Sequence, residues 1–187
     1  MKRLSVSLML VAAFMLSTAT VVQGAPNLQT FGTGEVTLTG DDSATIVLDV
    51  AGEYGGVYLN SKSQSGKMLA EADFSFVSTG DVTGGAPRFS IPIDDKAIPG
   101  PTDFFDGTDV AYAFLDAANC GGVSDVETLV STDAANCMVF LNAGGSWANW
   151  DAFAEANPTF RIAPGYIPFV IADGALGTYE VEDIALR

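Results

Sequence analysis

Short runs of alternating apolar and polar residues, cut by glycine- and aspartate-rich breaks, confine this chain to folds built from short strands. Phe74 and Phe76 fall on one side of an extended segment with Asp73 and Ser75 on the other, and Phe89, Ile91 and Ile93 repeat the period of two. The same reading predicts strands over 35–38, 44–50, 56–59, 73–78, 88–94, 110–115, 138–142, 167–172 and 177–186. The breaks carry turn chemistry: Gly40-Asp41-Asp42, which reads as a hairpin turn, Gly80-Asp81, Gly84-Gly85, Gly121-Gly122 and Asp173-Gly174. About nine strands with regular turn signals bury their apolar faces best as two stacked antiparallel sheets, so the expected fold is an all-β sandwich.

One segment departs from the period of two. Ser146 stands where a helix N-cap would, Trp147, Trp150, Phe153 and Ala154 follow at spacings of three or four, and Asn157-Pro158 closes the run. This predicts a short amphipathic helix of about ten residues covering an open edge of the sandwich. Its two tryptophans read either as core or as a stacking platform for sugar rings.

Residues 1–24 have the three parts of a secretory leader: Lys2-Arg3, the apolar run Leu8 to Leu16, and the small-residue ending Val22-Gln23-Gly24. The apolar run is shorter than the roughly 20 residues that cross a bilayer, so cleavage after Gly24 and a secreted or extracytoplasmic product are expected. No cysteine near the cut offers a lipid anchor, and the product, residues 25–187, is expected to be a single domain with no membrane span. Losing Lys2 and Arg3 deepens a formal charge of −15 by two more units. Such a field repels phosphate backbones and anionic lipid, which argues against nucleic acid as a partner.

The chain contains no histidine. That excludes a Ser-His-Asp triad, a Cys-His dyad, a His-ligated zinc and a histidine base. Its two cysteines, Cys120 and Cys137, are too few for a thiolate metal site. In an exported protein they read as a disulfide worth about 3 kcal/mol, with a free thiol pair as the alternative.

Carboxylates supply the remaining chemistry. Asp103, Asp106 and Asp109 are spaced by three around Gly107 in the segment ahead of Val110, a candidate set for a structural calcium, with Asp94 and Asp95 as further donors if the loop folds back. The spacing is not that of an EF-hand, and the favoured reading of the same residues is solvated turn aspartates. Glu180, Glu182 and Asp183 are the nearest thing to a clustered acid pair for glycoside hydrolysis. On a terminal strand they read as solvent-facing charge, and no enzymatic activity is expected. Gly32-Thr33-Gly34 and Gly84-Gly85 precede no helix, so neither reads as a phosphate cradle.

The runs Ala72 to Gly80, Ala86 to Asp94 and Gly177 to Leu186, the last with Asp183-Ile184 where an acidic residue precedes an apolar pair, resemble the strands of secreted jelly-roll domains of the carbohydrate-binding-module and galactose-binding-like kind. The resemblance implies a jelly-roll sandwich and a glycan or cell-surface polymer as partner. The candidate ligand rings are Tyr54, Tyr58, Trp147, Trp150 and Tyr166, since aromatic faces stack on sugars while Asp and Asn bond hydroxyls. Tyr54 and Tyr58 flank a Gly55-Gly56 break that would put them at a loop rim or at the end of a core face. Two expectations stand: a non-catalytic carbohydrate-binding module, or a structural or adhesive surface protein with no small-molecule ligand.

Overall fold

The computed structural model describes residues 27–94 and 110–187. These form strands β1 (Asn27–Gly32), β2 (Glu35–Leu38), β3 (Ala44–Leu48), β4 (Tyr54–Asn60), β5 (Phe74–Ser78), β6 (Arg88–Asp94), β7 (Val110–Asp116), β8 (Thr128–Ser131), β9 (Val139–Leu141), β10 (Ser146–Trp147), β11 (Arg161–Ile162), β12 (Phe169–Asp173) and β13 (Gly177–Leu186), with one α-helix, α1 (Trp150–Ala156). The larger sheet runs β1-β4-β12-β6-β7-β9-β10 with β11 also paired to β6; the smaller runs β2-β3-β13-β5-β8. All pairings are antiparallel.

Taken in chain order, β3, β4, β5, β6, β7, β8, β12 and β13 divide into β3-β13-β5-β8 in one sheet and β4-β12-β6-β7 in the other. That interleaving is the eight-strand jelly roll, two Greek keys wound into facing sheets. β1 and β2 extend the two sheets on one side, and β9 and β10 extend the larger sheet on the other.

Between the sheets lies the core that the alternation predicts. Phe74, Phe76, Phe89, Ile91 and Ile93 are all fully buried. Phe89 meets Phe74 at 5.7 Å and Phe76 at 4.8 Å, both edge to face. Val57, Leu59, Ala113, Leu115, Val139 and Val170 complete the larger sheet's inner face, opposed by Val130, Val181, Ile184 and Leu186.

The alternation breaks in β13. Tyr179 and Val181 point inward, then Ile184 and Leu186 do, so the phase shifts by one residue. Against β5 the register runs Glu182↔Val77 and then Ala185↔Ser75, three steps on one strand for two on the other. Asp183 takes up the extra step with φ of 50°. A bulge of this kind bends the strand and re-aims its side chains.

The helix and some strands differ from the sequence reading. Ser146 and Trp147 are not helical but pair with Phe140 and Val139. The helix starts at Trp150 because Asn149 caps it, its Oδ1 accepting the Ala152 N–H at 2.9 Å. β1, β8, β10 and β11 were not expected, and Gly55 and Gly56 lie inside β4 instead of breaking it. Cys120 and Cys137 form a disulfide, as expected. No helix among the described residues is long and apolar enough to cross a membrane. Residues 1–24, Asp95 and the aspartates 103, 106 and 109 lie outside the described residues.

Candidate functional site

The outward face of the larger sheet carries a layer of aromatic rings. On β4, Val57 and Leu59 fill the core, so Tyr54, Gly56, Tyr58 and Asn60 face out. On β12, Val170 and Ala172 point in and Phe169, Ile171 and Asp173 point out. On β7, Ala113 and Leu115 are interior, leaving Tyr112 and Phe114 outward. β1 adds Phe31, set against Gly56 across the strand pair.

Pairing register brings these rings together. Tyr58 is directly opposite Phe169, and Phe169 opposite Ser90, which is opposite Phe114. Phe31 lies over Tyr58 with centroids 4.3 Å apart and planes 30° apart. Phe169 meets Phe31 at 5.5 Å, Tyr58 at 5.8 Å and Tyr112 at 5.5 Å, each time edge to face. Tyr54 extends the layer toward solvent, 6.5 Å from Phe31 and 43% exposed. The other rings are half-buried, flanked by one another.

The polar groups on this face are mostly paired. Arg88 donates two hydrogen bonds to the Asp173 carboxylate, at 2.6 and 2.7 Å, and lies 4.9 Å above the Phe114 ring. Asn60 donates to the Gln29 side-chain oxygen at 3.3 Å, leaving the Gln29 amide N–H groups and the Asn60 carbonyl as hydroxyl partners at the rim. Burial pushes the Tyr112 phenol up to about 12, with Tyr58 and Tyr166 adding to the rise. Burial also raises the Asp116 carboxyl, opposed by Arg88 and by the hydrogen bond from Asn119.

At the Asn60 end the face continues into a cleft of about 450 Å³. Ser61, Lys62, Ser65, Tyr166 and Ile167 line it beside Asn60. A second cavity, of about 590 Å³, lies between the turn Leu69–Glu71 and α1, with Glu71, Asp151 and Glu155 in its lining.

The expected ligand rings therefore separate. Tyr54 and Tyr58 belong to the aromatic layer, and Tyr166 lines the cleft beside it. Trp150 is 2% exposed and donates its indole N–H to the Leu69 carbonyl at 2.8 Å, so it belongs to the core. Trp147 packs on Phe153 at 4.6 Å and crosses Gly145, beside the helix and away from the layer. Phe31, Phe169, Tyr112 and Phe114 were missed by the sequence reading. For Tyr112, Phe114 and Phe169 a signal was present, since 110–115 and 167–172 are apolar on both faces, more than one buried face requires; Phe31 lies in neither run.

Among the acids, Glu180 accepts from Thr79 at 3.1 Å, Glu182 is exposed, and Asp183 forms the bulge. Among the described residues no three His, Cys, Asp or Glu side chains are grouped to hold a metal ion.

The fold thus defines a jelly-roll β-sandwich with an aromatic outer sheet face. No family model matches the chain, and no curated protein matches it.

Proposed function

We propose that this is an exported, non-catalytic β-sandwich module that binds carbohydrate on the outer face of its larger sheet. The observation that carries this reading is the ring layer formed by Phe31, Tyr58, Phe169 and Tyr112 on the side of the sheet away from the core. An aromatic face turned away from the core is costly to leave in water, and a pyranose ring offers apolar C–H faces that lie flat on such rings. The Gln29 and Asn60 amides at the rim are suited to sugar hydroxyls. Export is supported by the leader-like residues 1–24 and by a disulfide, which persists in oxidising compartments.

Calorimetric titration with a panel of soluble neutral oligosaccharides tests the reading. Saturable binding to at least one is expected, weakened about tenfold by Tyr58→Ala, with the thermal midpoint reported alongside to show that the variant folds. Silence across the panel, with the protein retained in a wall or matrix fraction, would support the structural or adhesive reading instead.

A further inference from the structure

We infer that the glycan taken up by this face carries an isolated acidic sugar, whose carboxylate is bound in the cleft at the Asn60 end of β4. The inference rests on the carbohydrate reading above and names the class of glycan. The cleft and the ring layer are continuous: Asn60 lines the cleft and lies two residues beyond Tyr58 on the same face of the strand. Tyr166, also in the cleft, is near enough to Tyr112 to raise its phenol. A sugar chain lying along the outer face of β4 is therefore led to the cleft at its next unit.

The described lining of the cleft carries a charge opposite to that of the protein. Acidic residues outnumber basic ones 23 to 8 in the chain, yet among the described residues no carboxylate lines this cleft and Lys62 does. Among the described residues the one ion pair is Arg88–Asp173, so the Lys62 ammonium has no carboxylate partner there. Ser61, Ser65 and Asn60 supply further hydrogen-bonding groups around it. This donor-rich pocket, with one cation among its described residues, fits one carboxylate and its adjacent hydroxyls. The rest of the molecule limits the ligand from the other side. A polyanion would meet the repulsion of the surrounding acidic surface, so the chain is neutral apart from the unit in the cleft.

Two probes test this: a neutral β-1,4-linked xylotetraose and the same tetrasaccharide bearing one glucuronic acid branch, titrated at about 0.02 M and about 0.5 M salt. The expected result is binding of the acidic probe about fivefold tighter at low salt, the gain an exposed ion pair supplies. That preference should vanish at high salt and in Lys62→Gln, and persist in Lys62→Arg. Tyr58→Ala should weaken both probes equally. Equal affinity for the two probes, or a preference that survives Lys62→Gln, overturns the acidic-sugar inference and leaves the carbohydrate reading standing. Failure of both probes and of the neutral panel removes both.

Discussion

A side chain at position 56 would collide with two neighbours at once, the Val170 carbonyl at 2.2 Å and the Phe31 ring at 2.7 Å. Gly56 thus provides the space in which Phe31 lies down over β4, and the ring layer depends on that missing methyl. Gly56→Ala is expected to cost about 1–3 kcal/mol, as overpacking does, and to weaken glycan binding by lifting Phe31; denaturant unfolding and calorimetry on the same sample read both. Position 55 is crowded from the inner side, where Val36 and Ile46 approach. In the sequence the pair reads as a strand break, since adjacent glycines more often mark turns than close approach. The difference lies in long-range neighbours that no local window contains. Tyr112 gives a pH signature. Its phenol is raised from 10 to about 12, so the fold holds that proton more tightly than the unfolded chain does. Its contribution is intact below pH 10 and is lost as pH rises through 12. Thermal midpoints of the wild type should therefore fall more steeply over this interval than those of Tyr112→Phe.

Elements with a strong internal pattern were legible, and those defined by their partners were not. Phe74, Phe76, Phe89, Ile91 and Ile93 announced β5 and β6 by alternation, and all five are fully buried. β8 has one well-buried aliphatic, Val130, beside an exposed Leu129, and is a strand because Ser75 to Ser78 pair with it. The helix signal at 146–157 was real but started too early. Ser146 and Asn149 are both good caps, and the pairing of Trp147 with Val139 decides for Asn149. The disulfide acts at this scale too. The chain leaves the larger sheet after β7, visits the edge of the smaller sheet as β8, and returns as β9; Cys120 and Cys137 tie the two ends of that excursion. Replacing both by alanine should cost about 3 kcal/mol. Amide exchange should then accelerate most in β8, whose tether has gone.

For the whole molecule, composition and punctuation were enough to expect two antiparallel layers, and the topology bears that out. The outer aromatic face was only half legible. Tyr54 and Tyr58 were singled out for their place beside glycines, whereas Phe31 and Phe169 acquire meaning only when β1, β4 and β12 become neighbours. Sequence distance hides such faces because β1 and β12 are far apart along the chain. Charge works in the opposite way, being fully readable beforehand and informative at the molecular scale, where it sets which ligands can approach.

The placement of β13 bears on how the protein reaches this state. It is central in its sheet, bonded to β3 on one side and β5 on the other. Until residues 177–186 are available, β3 and β5 have no common neighbour, and the half-built sheet offers a slot of unsatisfied amides and carbonyls. Assembly is consequently late and nearly all-or-none: the early strands wait for a keystone made some 100 residues after them, a delay typical of folds dominated by distant pairings. A nascent chain of this kind needs protection from self-association while it waits.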